Sequence, residues 1–316
     1  MEAHLTGAFP RSEALVELTR AAARGKVSEN ELEDGFRKEV LQLVMLQTEA
    51  EIDSVVDGQL NWQDLFRPFS EILTGIRPGS LTRWFDNNTF YRKPTIVEKV
   101  RYGGGSLDRY FRHNLLPKDR PRRAVLPGPY TFALLSQNIA YQSFEDLIDD
   151  LAHALRDVAT KLKIAGYQYL QFNDPSICVS EPSQDQLAAV RQAYEVLAKG
   201  MDAKTVLHTY FGDAGSIIEF ALDLPTDSIG IDFYATSVDS LSEHDFTKEL
   251  ECGCLDARNS LLETPDGLKK LIVRIQDAVR PKGISVATNC DLDFLPYGVA
   301  ARKLNLLATA KKIEDG

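Results

Sequence analysis

Four side chains raise the first question: His208, Tyr210, Asp232 and Cys290. His208 and Tyr210 end the apolar run in VLHTYFGD, residues 206–213. A His-x-Cys pair at the end of a buried strand supplies half of a zinc site, because zinc takes four N, S or O donors. Here the residue two after the histidine is a tyrosine. That leaves a metal site with an odd ligand, a site that has lost its metal, or an ordinary strand end. Three aspartates, Asp57, Asp174 and Asp232, also follow or end apolar runs. Carboxylates gathered in a pocket can serve as acid or base groups on a small molecule.

Such residues need a scaffold. Short apolar runs recur at 5–9, 52–57, 123–128, 167–172, 205–211, 228–235, 251–256 and 284–289, as buried parallel strands do. Helical patterns lie between them. One opens at Ser28 with Glu31 three residues on, a capping box, and carries Phe36, Val40, Leu43 and Val44 at helical spacing. Others run over 144–164, 183–199 (closed by Gly200), from Pro265, and over 297–311. Eight strands alternating with helices predict a (β/α)8 TIM barrel. Gly103-Gly104-Gly105 lacks the spacing of a dinucleotide-binding turn and reads as a turn after a hairpin. We expect one domain over residues 1–316. Its segment 76–122 carries a hairpin-like insertion after the second strand, followed by the third barrel strand.

Polar residues follow each apolar run. They include Arg11, then Asp57, Gln59 and Trp62, then Asn173 and Asp174, then His208, Tyr210 and Asp213. Asp232 and Tyr234, Asp256, Arg258 and Asn259, and Asn289, Cys290 and Asp291 complete the set. In a barrel these all fall at the C-terminal face, where active sites are built. Some must be helix caps.

Net charge is −10 over 316 residues, which disfavours nucleic acid or an anionic membrane surface as the main partner. The basic run KDRPRR, 118–123, reads as a solvated loop. No apolar stretch is long enough to span a membrane, and no signal peptide is evident. Cysteines 178, 252, 254 and 290 form no disulfide framework, so a reducing cytoplasm is the expected setting. Cys252 and Cys254, two apart in a strand, face the same way and read as core. His4, His113, His153 and His244 receive no role, and His153 is placed on a helix surface.

Across nearly its whole length the chain resembles the cobalamin-independent methionine synthase family. The matching pieces are TGAFPRS, VVDGQLNWQD, LPGPYTF, YLQFNDP, HTYFGD, LPTDSIGIDF, CLDARN and TNCDLDFLP, in family order. The resemblance implies methyl transfer to the homocysteine thiol in methionine biosynthesis, from a methyl-folate, methyl-pterin or methyl-cobamide. It implies two kinds of barrel, one holding zinc and one that has lost it. The zinc barrel uses His-x-Cys, an acid and a further cysteine. This chain offers His208, then Tyr210 for the cysteine, Asp232 for a glutamate, and Cys290. Gly58-Gln59 and Asn173-Asp174-Pro175 replace acidic versions that would hold the substrate amino group. No resident cofactor is therefore expected, and the chain reads as the metal-free barrel working beside a separate zinc-bearing subunit. Arg11, Gln59, Trp62, Asn173, Tyr210 and Asn289 are the expected substrate-binding residues. Arg11 with Arg92 or Lys93 would meet an anionic tail, and Trp62, Trp84 and Phe85 would stack on a flat ring. One alternative is a stand-alone zinc-dependent homocysteine methyltransferase with zinc on His208, Asp232 and Cys290. Another is a barrel enzyme of different chemistry using Asp57, Asp174 and Asp232.

Overall fold

A computed structural model describes residues 1–313 of the chain. Its strands are β1 (Glu2–Ala3), β2 (Leu73–Arg83), β3 (Phe90–Tyr102), β4 (Arg123–Pro127), β5 (Gln137–Asn138), β6 (Tyr169–Asn173), β7 (Lys204–Thr209), β8 (Ser228–Asp232), β9 (Glu249–Leu255) and β10 (Gly283–Thr288). The helices are α1 (Glu13–Ala23), α2 (Glu29–Glu49), α3 (Phe69–Ile72), α4 (Pro129–Leu134), α5 (Phe144–Ile164), α6 (Ser176–Val179), α7 (Gln184–Ala198), α8 (Ile218–Asp223), α9 (Val238–Ser242), α10 (Pro265–Val279) and α11 (Tyr297–Ala310).

Seven strands form a curled parallel sheet in the order β1-β10-β9-β8-β7-β6-β4. Residues 53–55 close the gap between its two edges. Asp53 N–H donates to Ala3 and Val55 N–H to Pro121, while Arg123 N–H donates to Val55. Parallel bridges pair His4 with Ser54 and Val55 with Arg122. The result is a (β/α)8 barrel whose second stave is reduced to single bridges. The expected strand at 52–57 is thus shorter than its apolar run, and the first strand lies at 2–4 rather than 5–9. Contiguous apolar residues mislead there because Leu5 and Phe9 are buried in the loop that leaves the strand.

The helices follow their sequence signals. Ser28 and Glu31 form the capping box of α2, whose Phe36, Val40 and Leu43 are buried. On α5, Leu147, Leu151, Leu155, Val158 and Leu162 recur every three or four residues and are all buried. Helix α1 has no counterpart in the sequence reading, although Ser12 caps it by accepting from Leu15 N–H.

The insertion begins at Leu73, not 76. β2 and β3 pair antiparallel, and β5 adds a short parallel edge. Gly75, at φ +80, could take no side chain: a Cβ would lie 2.6 Å from the Glu98 carbonyl oxygen. The turn of this hairpin brings Trp84, Thr89, Phe90 and Tyr91 over the barrel mouth.

The barrel interior is polar. Both terminal guanidinium nitrogens of Arg123 lie 2.9 Å from Glu251 oxygens, and His4 Nε2 sits 3.0 Å from the same carboxylate. Gln171 accepts from Arg123, and Ser228 bonds Glu251. Two sequence expectations are corrected here. The run 118–123 is no uniform solvated loop, since Arg122 and Arg123 are buried, and His4 has a structural role. Arg123 and His4 are tolerable inside because Glu251 offsets them, while Arg122 gives its donors to the carbonyls of Leu116, Pro117 and Ala165. Cys252 and Cys254 are buried, and His153 is exposed on α5.

Candidate functional site

The C-terminal ends of the strands separate the expected site residues into distinct groups. The first surrounds a cavity of about 600 Å³ between the barrel mouth and the hairpin. Arg11, Gln59 and Trp62 line it, together with Asp64, Trp84, Thr89, Tyr91, Asp291, Asp293 and Phe294. Arg11 Nε donates to the Leu60 carbonyl at 2.6 Å and a terminal nitrogen to that of Trp62 at 2.5 Å. Gln59 adopts φ +51 after Gly58 at +74, a turn that aims its side chain at the mouth wall. Its amide nitrogen finds no acceptor among the described residues. Asp291 accepts from Ala8 N–H at 2.9 Å. Burial, together with the neighbouring Asp293, pushes the Asp291 carboxyl well up, and Asp293 is pushed up to about 6.

Trp62 lines this cavity, but its indole N–H is spent on the Tyr110 carbonyl and its ring packs between Phe69 and Phe111. Arg92 gives its backbone N–H to Asp64 and its side chain to Gly79. Neither Arg92 nor Lys93 is in the lining that contains Arg11. Sequence reasoning noted Asp291 at a strand end without assigning it a role, and passed over Asp293. The repeated acid of Asp291-Leu292-Asp293 was the available signal.

The second group lies deeper. Asn173, Asp174, His208 and Tyr210 are all buried. Asp174 accepts from Thr131 N–H at 2.6 Å, Tyr130 N–H at 3.3 Å and the Tyr194 hydroxyl at 3.1 Å. It anchors the start of α4, and burial pushes its pKa up to about 6 against those bonds. Asp57 does similar work, accepting from Gln59 and Arg112 N–H groups. Both nitrogens of His208 lack a partner among the described residues, and burial lowers its pKa to about 3. Gly230 makes room for that ring: a Cβ there would sit 2.1 Å from His208 Nδ1.

The third group is a relay of hydrogen bonds. Asn289 donates to Asp232 at 3.0 Å and to Asp256 at 3.3 Å, while accepting from Ala257 N–H. Asp232 also accepts from Phe211 and Tyr234 N–H groups, and the Arg258 guanidinium is 3.6 Å away. Phe211 reaches this bond through φ +70.

Zinc can be tested against these residues. Burial raises the Tyr210 phenol and the Cys290 thiol well above their ordinary values, and a phenol is a poorer zinc donor than the thiolate that position would otherwise supply. Asp232 already accepts from three donors. No cluster of three His, Cys, Asp or Glu side chains suited to a metal exists among the described residues. The residues present do not fit the ion.

Residues 73–280 match the family model described as the N-terminal domain of cobalamin-independent synthase. The chain belongs to this family. Among curated proteins, the methionine synthase of Sulfurisphaera tokodaii is 28% identical over 97% of this chain and 90% of its own length. That of Saccharolobus solfataricus is 26% identical over 97% and 92%. A B12-independent methionine synthase from a Shewanella species, solved in complex with selenomethionine, superposes with a TM-score of 0.80. It shares 21% identity, and the match covers 98% of this chain and 96% of that one. A Methanosarcina mazei methyltransferase gives 0.65 at 13% identity, covering 98% and 93%. These likenesses establish the methionine synthase barrel as the fold. No helix among the described residues is long and apolar enough to cross a membrane.

Proposed function

We propose that this chain serves methionine biosynthesis as a metal-free barrel of the cobalamin-independent family. In this reading it binds a small molecule at its mouth while a separate zinc-bearing barrel activates the homocysteine thiol. Asp57, Asp174 and Asp232 hold the strand ends in place, and Arg11, Gln59 and Trp62 shape the binding cavity. The observation that carries the reading is Tyr210, buried two residues after His208 where a second zinc donor would stand. Methyl transfer needs a thiolate, and a bound metal supplies one at neutral pH by lowering the thiol pKa. Tyr210 stands where the second of the two donors at the end of β7 would be, and Asp232 is already held by three hydrogen bonds.

One observation favours the stand-alone zinc enzyme instead: the unpartnered nitrogens of His208. Zinc content decides between them. Protein purified without chelator should carry well under one equivalent, unchanged in His208→Ala. It should transfer no methyl group to homocysteine alone, and should do so with a zinc-bearing single barrel added. Near-stoichiometric zinc that disappears in His208→Ala would overturn the proposal.

A further inference from the structure

The cavity at the barrel mouth has a roof. Its lining takes Trp84, Thr89, Phe90 and Tyr91 from the β2–β3 hairpin, and Phe9, Leu60 and Phe294 from the barrel. The base of that roof is fixed. Tyr91 donates its hydroxyl to the Leu135 carbonyl at 3.1 Å, and Arg92 N–H donates to Asp64 at 2.9 Å. The Trp84 ring is buried edge-on against Phe66 and Tyr91. The tip beyond it, residues 85–89, is held differently. Its hydrogen bonds stay local, from Trp84 N–H to the Thr89 carbonyl and from Asn87 N–H to the Trp84 carbonyl. Among the described residues, no hydrogen bond or ion pair ties residues 85–89 to the barrel.

What reaches the barrel from the tip is one ring. Phe85 lies 5.5 Å from Phe211, and Phe211 lies 5.9 Å from Phe294 in the cavity wall. Phe211 is firmly seated. Its N–H donates to Asp232, and the Arg258 guanidinium lies 5.2 Å over its ring.

A second observation concerns the backbone. Phe85 adopts φ +48 and Phe211 φ +70. Bulky residues rarely take the left-handed region, and such strain gathers at clamps and switch segments. Here it falls on both sides of one contact. The bond to Asp232 holds Phe211 in place, whereas only the ring contact holds Phe85. The Thr89 hydroxyl, in the roof, is also buried without a partner. Lifting the tip would hydrate that hydroxyl and release Phe85, and would give up the ring contact.

We propose that residues 85–89 form a lid over the mouth cavity, with Phe85 as its latch and Phe211 as the fixed catch. The closed form has the ring contact, a strained Phe85 and an unpartnered hydroxyl, and the open form reverses each. Opposed contributions of this kind make a two-state element. Access to the cavity then follows the latch. The inference goes beyond the methionine-pathway reading and depends neither on zinc nor on the identity of the ligand.

Trp84 sits at the root of the lid, and Trp62 is the only other tryptophan. Labelling with 5-fluorotryptophan gives two fluorine resonances, which Trp62→Phe assigns. Trp84 should show exchange on the microsecond-to-millisecond scale of loop closure. Phe85→Ala should abolish that exchange and move the resonance to the open position. In the Trp62→Phe background it should also raise acrylamide quenching of Trp84 fluorescence about twofold or more. Phe85 is partly exposed, so this variant should fold, as a melting temperature would verify. Arg258→Gln leaves the lid sequence intact and unseats the catch, and it should shift the resonance in the same direction. A wild-type Trp84 resonance free of exchange would overturn the proposal, as would quenching unchanged in Phe85→Ala; the tip would then be a fixed wall. Zinc in the protein would remove the metal-free reading and leave this result standing.

Discussion

Arg123 on β4 and Glu251 on β9 meet inside the barrel as a two-pronged ion pair, each prong 2.9 Å long. The pair joins strands on opposite sides of the ring, and His4 from β1 rests on the same carboxylate.

Truncating one partner leaves a buried charge uncompensated, at a cost of about 3–5 kcal/mol. Arg123→Met should therefore lower the urea-unfolding free energy by that amount. The double variant Arg123→Met with Glu251→Leu should recover part of it, because neither charge then remains inside. A single variant within 1 kcal/mol of wild type would show that the interior hydrates freely.

His208 makes a prediction about pH. Its folded pKa is depressed to about 3 from an ordinary 6.5. Between those values the unfolded chain binds a proton that the folded chain does not, so stability rises with pH across that window. The slope from one such group is about 1.4 kcal/mol per pH unit. Asp174, raised to about 6, works in the opposite sense below that pH. Comparison with His208→Phe isolates the histidine: the variant should lose less stability than wild type on acidification from pH 7 to 5. Parallel curves would refute the burial argument.

Lys303 on α11, fully buried, bonds both Glu263 oxygens at 2.8 Å and the Leu261 carbonyl. Glu263 in turn accepts from Asp256 N–H and the Tyr234 hydroxyl. This ties residues 256–263 to the last helix. Lys303→Met should cost roughly 2–4 kcal/mol, since it leaves Glu263 without its counter-charge. Proteolytic nicking should concentrate at Leu261–Leu262, which are exposed. Nicking elsewhere first would mean the lysine does not hold this loop.

Installing the donor types that the family resemblance assigns to a zinc barrel gives a fourth test. Tyr210→Cys with Asp232→Glu should raise zinc uptake towards one equivalent per chain, measured by plasma emission. Replacing a buried tyrosine by cysteine opens a cavity, at a cost of roughly 3–5 kcal/mol by analogy with other large-to-small aromatic changes. Zinc should recover part of that loss as a higher melting temperature. A double variant that stays metal-free would mean that the strand ends, and not the ligand types, have moved.

The barrel was legible because parallel strands buried on both faces read as apolar runs, and six of the eight apolar runs overlap strands. The two that failed, 5–9 and 52–57, are where a strand shrinks to a few bonds and burial continues into the following loop. Periodicity senses burial, and burial there does not track pairing. At the site, residue type announced His208, Tyr210 and Asp232 but not their commitments. Asp174 and Asp57 looked like free acids until their backbone donors were seen, because helix caps and catalytic carboxylates use the same residue. Arg122 and Arg123 were hidden at the end of a basic run that begins with the exposed Lys118 and Asp119. That Arg11 gives its donors to the Leu60 and Trp62 carbonyls is a commitment no spacing reveals.

The second stave, paired to neighbouring strands only through residues 53–55, has a dynamic consequence. The ring has a seam, and breathing should start there. Amide exchange at Asp53 and Val55 should outpace that at Leu170 and Ile229, which lie in full ladders. The chain leaving that seam runs directly into Gln59, Leu60 and Trp62. The stave with the fewest ladder bonds thus carries one wall of the cavity, so the cavity's width would be set by how tightly the seam is drawn.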